Sequence, residues 1–198
     1  MKVLFIALLT LFSVPACATI AASESAGAAT QSATQSTSQL APSATYEPMA
    51  PFAKFAGKTL RGEGAGPDGG AIVDIAKWEF ILGGRALQTT HRVEGTSYGG
   101  RTIFFFDEAA QQYIFHYFTT AGFHTTGEVV PTERGFKSVE KVIGHAEISE
   151  VYSELIVEGN EIRVLSNQKD KNGNLSDVEE RLVYRVIDHP GPTFNESN

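Results

Sequence analysis

The sequence has a single cysteine, Cys17, among its 198 residues. Because Cys17 lies in the N-terminal leader, the folded part of the chain can have no disulfide, no thiol nucleophile and no cysteine-ligated zinc site. The chain also lacks a run of lysine and arginine, and its formal net charge is −7. Nucleic acids and anionic membrane surfaces bind basic patches. We therefore expect no nucleic-acid partner, and membrane contact only through a lipid anchor.

The first 18 residues follow the three-part pattern of a secretory signal peptide. Lys2 is followed by an apolar run over residues 3–14 and then by small residues up to Ala18. The apolar run is too short to span a bilayer stably. The pattern predicts an exported protein, either periplasmic or an outer-membrane lipoprotein.

Two processing routes fit this leader. Residues 16–18, Ala-Cys-Ala, have the small-x-small pattern for cleavage after Ala18, which would discard the cysteine. Residues 14–17, Val-Pro-Ala-Cys, resemble a bacterial lipobox, in which Cys17 would become the lipidated first residue. The long linker behind Cys17 favours the lipoprotein, whereas Pro15 argues against it. Both routes remain open from the sequence.

The rest of the chain divides by composition. Residues 19–48 are dominated by Ala, Ser, Thr and Gln, so they cannot bury enough apolar surface to offset the entropy of ordering. We expect a disordered tether there, a β-barrel domain over residues 49–189, and a flexible tail over residues 190–198. The domain is of ordinary size for one hydrophobic core.

The sequence of the domain predicts a short helical turn near Phe52, followed by ten strands that are separated by turns. Turn chemistry recurs at intervals of 8–12 residues, and Asn172-Gly173 is the strongest hairpin signal. The predicted strands cover residues 58–64, 71–82, 85–94, 101–107, 113–120, 123–130, 136–143, 147–157, 161–167 and 177–187. No segment has a sustained helical period of apolar residues, which argues against a parallel α/β fold.

A ten-stranded meander would leave two long unpaired edges, which invite aggregation. Closing the sheet removes both edges. The sequence therefore predicts an all-β fold, a ten-stranded antiparallel up-and-down barrel of calycin-like type, with a two-sheet sandwich as the main rival.

Alternation along the strands predicts which side chains face inward. Trp78, Phe80 and Leu82 share one phase that alternates with Lys77 and Glu79, and the same alternation places His91 inward on the next strand. The strand over 113–120 is apolar on both faces, so we expect something to cover its outer face. The predicted ligand-binding residues are Trp78, Phe80, Arg85, Thr89, His91, Phe104 and Tyr117, with His116, His124, Tyr152 and Arg181 as weaker candidates.

Histidines are the only nitrogen donors for a metal site. His91, His116 and His124 could form a three-histidine zinc or haem site if the barrel brought them together. A hydrogen-bonded histidine is the commoner case, so neither haem nor a metal is favoured.

Four stretches carry a resemblance to a family of bacterial domains of unknown function that are built as calycin-like barrels. They are Phe-Ala-Gly-Lys at 55–58 with Gly62, Trp-Glu-Phe-Ile-Leu-Gly-Gly-Arg-Ala-Leu at 78–87, Phe-Phe-Asp at 105–107 with Tyr113, and Glu-Glu-Arg-Leu-Val-Tyr-Arg at 179–185. The resemblance implies a ten-stranded barrel with an internal cavity, similar to fatty-acid-binding proteins and nitrobindin-type haem-binding barrels. The latter have a histidine ligand near the last strand, where this chain has Tyr184 and Arg185, which disfavours haem.

Three functions follow as hypotheses. The first is a barrel that binds a small apolar or amphipathic molecule, with Arg85 holding a carboxylate head group. The second is an enzyme that uses His91, His116 or His124 as a general base with Tyr117 or Tyr152 as its partner. The third is an envelope interaction protein that binds through an exposed apolar patch on the outer face of strand 113–120.

Overall fold

The computed structural model describes residues 46–66 and 69–194. The predicted signal peptide, Cys17 with both cleavage positions, residues 19–45 of the predicted tether and residues 195–198 of the predicted tail lie outside the described residues. Within the part of the chain that the structure describes, no helix is long and apolar enough to cross a membrane.

Ten antiparallel strands form the fold, in agreement with the sequence prediction. They are β1 Lys58–Ala65, β2 Ala71–Ile81, β3 Ala86–Val93, β4 Gly99–Asp107, β5 Gln112–Thr119, β6 His124–Thr132, β7 Gly135–Ile143, β8 Ile148–Glu158, β9 Glu161–Asp170 and β10 Glu179–Ile187. A short 3-10 helix over Glu47–Phe52 precedes β1, as predicted, and a second one over Leu82–Gly84 joins β2 to β3.

The sheet closes into a barrel because the first strand pairs with the last. Each strand pairs with its neighbours in the chain, and β1 completes the circle by pairing antiparallel with β10, where Gly62 lies opposite Tyr184. The up-and-down order and the closure are both confirmed, and the shape is consistent with a calycin-like barrel. Closure leaves no unpaired edge strand in the described sheet.

Along β2, the alternation of side chains predicted the inward-facing residues correctly as far as the strand extends. Trp78 lines the interior and Phe80 packs against the core, but Leu82 is 74% exposed. The chain leaves the strand after Ile81, and Leu82 adopts a positive φ of 53° at the start of the second 3-10 helix. Because the alternation of a strand stops where the strand stops, the inward placement of Leu82 was wrong.

The structure decides the ambiguous strand β5. Phe115 is buried, and it points into the barrel together with Tyr117. On the outer face, Phe118 is 54% exposed. The N-terminal 3-10 helix does not cover this outer face, because its residues Met49 and Phe52 pack inside the barrel.

The 3-10 helix Glu47–Phe52 plugs one end of the barrel. Met49 and Phe52 are buried, and the ring of Phe52 stacks on Phe136 with 4.8 Å between centroids. Tyr113 fastens the plug by donating a hydrogen bond from its hydroxyl to the carbonyl oxygen of Pro48 at 2.6 Å. The plug therefore belongs to the hydrophobic core.

The described part of the C-terminal segment, residues 190–194, lies against the outer face of β2–β4. Arg92 donates to the carbonyl oxygen of Thr193 at 3.3 Å, and the guanidinium of Arg101 lies 5.7 Å from the ring centroid of Phe194.

Removing the aromatic ring of the plug should destabilise the whole barrel. We expect Phe52→Ala to lower the free energy of unfolding by about 3–5 kcal/mol, because it deletes a buried ring and leaves a cavity. Phe118→Ala is the matched control, and its exposed ring should cost less than about 0.5 kcal/mol. Urea denaturation measures both. Equal effects of the two substitutions would contradict the placement of the plug.

Candidate functional site

A cavity of about 300 Å³ lies inside the barrel. Nine of the ten strands and the N-terminal plug contribute to its wall. The lining residues are Phe52, Ala76, Trp78, Thr89, His91, Thr102, Phe104, Phe115, Tyr117, Val129, Phe136, Ser138, Glu140, Ser153, Leu155, Ile162, Val164 and Tyr184.

Aromatic rings form much of the apolar part of this wall. Phe104 lies between Phe52 and Phe115, with ring centroids 5.9 and 5.4 Å apart, and Phe55 meets Trp78 edge-on behind the wall at 6.0 Å. These separations are in the range in which aromatic pairs attract each other. The apolar part of the cavity is therefore pre-formed by packing among the rings themselves.

Asp74 anchors the polar part of the interior. Its carboxylate is almost fully buried, with 1% of the residue exposed. One oxygen lies 2.8 Å from Nδ1 of His91, and the other accepts a hydrogen bond from the hydroxyl of Tyr184 at 2.6 Å. A buried carboxylate needs such donors, and each charge-assisted bond is stronger than a neutral one.

The hydrogen bonds continue from His91 to two tyrosines. Since an ionised carboxylate only accepts, Nδ1 of His91 carries the proton, and in the neutral ring Nε2 accepts from the hydroxyl of Tyr117 at 2.7 Å. The Tyr117 hydroxyl lies 3.0 Å from that of Tyr98. A continuous chain thus joins Tyr184, Asp74, His91, Tyr117 and Tyr98.

Two glycines make room for the rings in this chain. A Cβ atom on Gly62 would lie 2.5 Å from the ring of Tyr184, and one on Gly100 would lie 2.4 Å from the ring of Tyr117. Real Cβ atoms do not approach other atoms so closely. Glycine at these positions allows each ring to lie against the neighbouring strand, so that its hydroxyl reaches Asp74 or His91.

Glu140 is a second carboxyl in the cavity wall. It lies on β7, and its side chain receives a hydrogen bond from the hydroxyl of Thr125. Burial raises the pKa of Glu140, and the bond from Thr125 lowers it by less. No lysine or arginine belongs to the cavity wall among the described residues. Glu140 therefore has no basic partner in the part of the cavity that is described.

Burial and the acidic surroundings also keep the tyrosines protonated. The pKa of Tyr117 is raised chiefly by burial, then by the neighbouring Tyr98 and by the charges of Asp74 and Glu140. Burial, followed by the charge of Asp74, raises the pKa of Tyr184 well above its usual range. Burial raises the pKa of Tyr98 as well. The interior therefore presents neutral phenols as hydrogen-bonding groups.

Five of the seven predicted ligand-binding residues line the cavity together: Trp78, Thr89, His91, Phe104 and Tyr117. Phe80 does not line it but packs against the core beside it.

Arg85 is not inside the barrel, so its expected inward placement was wrong. It follows the turn in which β2 ends, and its side chain is 64% exposed. Its guanidinium lies 3.3 Å from the carboxylate of Glu108 and 4.6 Å from the ring centroid of Tyr46, whose hydroxyl also bonds Glu108. Arg85 therefore fastens the start of the N-terminal plug to the rim of the barrel.

The weaker candidates lie away from the cavity. His116 and His124 lie on the outer face, where each ring stacks against Phe118. Tyr152 bonds the carboxylate of Glu150, and Arg181 forms an ion pair with Glu179 at 2.9 Å. Since His91 is inside and the other two histidines are outside, the three do not form the zinc or haem site that the sequence left open. No group of metal ligands occurs among residues 46–66 and 69–194.

Among the site residues that sequence reasoning missed, Asp74, Tyr98, Glu140 and Tyr184 matter most, because they belong to the hydrogen-bonded chain or carry the second carboxyl. Asp74 and Glu140 could have been found from alternation, because Asp74 shares the inward phase of Trp78, and Glu140 shares that of Phe136. Tyr98 lies just before β4, outside the alternating pattern. Tyr184 was noted only as a residue on the last strand that replaces a histidine.

Neither a protein-family model nor a curated protein matches the chain.

The close approach of Tyr184 to Gly62 can be tested by a double-mutant cycle. We expect Gly62→Ala to destabilise the protein by about 1–3 kcal/mol, because the added methyl overpacks the Tyr184 ring. In a Tyr184→Ala background the same substitution should cost much less. Urea denaturation of the four proteins measures the coupling. An equal cost in both backgrounds would show that the ring does not lie against Gly62.

Glu140 predicts a pH dependence of stability with a definite sign. Its pKa is raised in the folded state, so between the unfolded and the folded pKa the unfolded chain binds fewer protons at Glu140 than the folded chain does. The free energy of unfolding of the wild type therefore falls as the pH rises from the unfolded pKa through the folded pKa. Glu140→Gln keeps the size and removes the titration. We therefore expect the free energy of unfolding of Glu140→Gln, relative to that of the wild type, to increase from pH 4 to pH 8. The increase should be about 1.4 kcal/mol for each tenfold by which folding tightens proton binding at Glu140.

The matched control for this prediction is Glu128→Gln, on the exposed face of β6. Its effect on the free energy of unfolding should not change with pH in this way. If the free energy of unfolding of Glu140→Gln instead decreased relative to the wild type as the pH rises, the folded protein would stabilise the charged carboxylate, which would contradict the prediction.

Proposed function

We propose that this protein is an exported barrel that binds a small amphipathic molecule in its interior. The observation that carries the proposal is the cavity itself, which joins an aromatic wall to a set of fixed hydrogen-bonding groups. Apolar contact area with a few orienting polar groups is what small-molecule sites have in common. His91, Tyr117 and Glu140 are the polar groups best placed to orient the ligand.

The cavity volume limits the size of the ligand. An engineered protein cavity of about 150 Å³ binds benzene, so a cavity of about 300 Å³ suits a molecule of roughly one or two aromatic rings. This volume is at the lower end of ligand sites in general. The proposed ligand is therefore compact, and a long acyl chain would exceed the space.

Export is part of the proposal and rests on the leader sequence. The mass of the mature protein recovered from a bacterial host that processes both kinds of signal distinguishes the routes. A chain that begins at Thr19 is the product of cleavage after Ala18, whereas a chain that begins at Cys17 with added acyl mass is a lipoprotein. Recovery of only the full-length chain from the cytoplasm would overturn the export proposal.

Binding can be tested directly because Trp78, the only tryptophan of the chain, lines the cavity. We expect native mass spectrometry of the purified chain to show bound small molecules, or the Trp78 fluorescence to change and saturate when compact aromatic compounds such as 2-phenylethanol are added. If mass spectrometry showed no bound molecule and the Trp78 fluorescence did not change with any of these compounds, the proposal would be contradicted. Leu82→Ala, on the exposed surface, is the control and should leave both results unchanged.

Enzymatic activity is the second candidate function, and it is favoured by the distance between His91 and Tyr117. Nε2 of His91 and the hydroxyl of Tyr117 are within hydrogen-bond reach in the same cavity, at 2.7 Å. A substrate proton could pass to the Tyr117 oxygen while the Tyr117 proton passes to His91, and Asp74 would stabilise the imidazolium that forms. This relay avoids a free phenolate, which burial disfavours at Tyr117.

The relay predicts proton abstraction from a carbon acid. Phenylacetone fits the proposed size and has acidic C–H bonds beside its carbonyl. If the relay operates, the protein should speed deuterium uptake into phenylacetone from D₂O, and Tyr117→Phe should abolish the acceleration. Equal rates with the wild type, Tyr117→Phe and buffer would reject the enzyme and leave the binding proposal standing.

A further inference from the structure

The charged and polar groups of the cavity identify the kind of head group that it accepts. Glu140 lines the cavity, and its only hydrogen-bond partner among the described residues is the hydroxyl of Thr125. A carboxyl group has two oxygens and about four acceptor positions when ionised. Glu140 therefore retains acceptor capacity that the described protein does not use.

The other acidic group of the interior is already satisfied. Both oxygens of Asp74 are engaged, one with His91 and one with Tyr184. The two ring nitrogens of His91 are likewise occupied, by Asp74 and Tyr117. Glu140 is thus the charged group of the cavity that is open to a ligand.

No positive charge balances this carboxyl from the described wall. Arg85, the residue that the sequence suggested for a carboxylate ligand, lies at the rim in an ion pair with Glu108. A ligand carboxylate would meet Glu140 inside a poorly solvated space with no lysine or arginine beside it. Burying two like charges in this way is strongly unfavourable.

The aromatic wall suits a cation as well. Trp78, Phe104 and Tyr117 line the same cavity as Glu140, and the faces of such rings attract ammonium groups within about 6 Å. The hydroxyls of Ser138 and Ser153 in the wall are further acceptors for N–H groups. Both the charge and the aromatic lining favour a positively charged nitrogen.

We infer that the ligand is a compact aromatic or apolar amine, whose protonated nitrogen is bound by the Glu140 carboxylate while its apolar body packs against the aromatic wall. This inference rests on the proposed ligand-binding function and specifies its substrate class. A primary ammonium has three donors, so it can bond Glu140 and still reach neutral acceptors in the wall.

Three probes of one shape test the inference: 2-phenylethylamine, 2-phenylethanol and phenylacetate. They share a phenyl ring and differ in the charge of the head group. Each is titrated into the full chain at pH 7, with Trp78 fluorescence and calorimetry as readouts. We expect the amine to bind at least about 10-fold more tightly than the alcohol, and the carboxylate to bind more weakly than both.

Glu140→Gln separates the charge from the shape of the cavity. The variant keeps the side-chain size but cannot carry a negative charge. We expect it to lose at least about 10-fold in affinity for 2-phenylethylamine and to change its affinity for 2-phenylethanol by much less, because the alcohol has no charge for the carboxylate to bind. Glu128→Gln, the same substitution on the exposed outer face, should change neither affinity.

The outcomes distinguish this inference from the function on which it rests. Tighter binding of phenylacetate or 2-phenylethanol than of the amine overturns the inference and supports the binding function. Equal amine affinity in the wild type and Glu140→Gln also overturns the inference. If none of the three probes binds and native mass spectrometry shows no bound molecule, both the inference and the proposed function fail.

Discussion

The interior of this barrel depends on one buried carboxylate. Asp74 is 1% exposed, and burying its charge is tolerable only because His91 and Tyr184 donate to its two oxygens. Tyr184 reaches Asp74 across β1, which is the strand at which the barrel closes, and glycine at position 62 leaves space for its ring. His91 in turn positions the hydroxyl of Tyr117. The hydrogen bonds in the polar part of the interior therefore follow from the need of one buried carboxylate for donors.

The sequence predicted the fold well because strands and turns are local features. Alternation of apolar and polar residues located all ten strands, and the argument that exposed edges aggregate led to closure. Alternation also placed five of the seven expected residues in the cavity. It failed at Arg85, because the chain leaves β2 after Ile81 and the second 3-10 helix interrupts the phase. Local patterns cannot extend across such a turn.

The polar network could not be predicted for a different reason. Tyr184 and Asp74 are 110 residues apart in the chain, and their contact exists only because β1 lies between β10 and β2 and pairs with both. No local signal marks such a pair. The outward position of His116 and His124 likewise depended on the phase of β5, which is apolar on both faces. Long-range register thus decided the site, whereas local periodicity decided the fold.

The position of the proton on the His91 ring is the most direct test of the hydrogen-bonded chain that starts at Asp74. Nitrogen-15 NMR of the full chain, at a pH where the ring is neutral, shows which nitrogen carries the proton. We predict that His91 is protonated at Nδ1, toward Asp74, with Nε2 as the acceptor for Tyr117. A neutral His91 protonated at Nε2 would contradict this prediction, because Asp74 would then lack the hydrogen bond from His91 and Tyr117 would lack its acceptor.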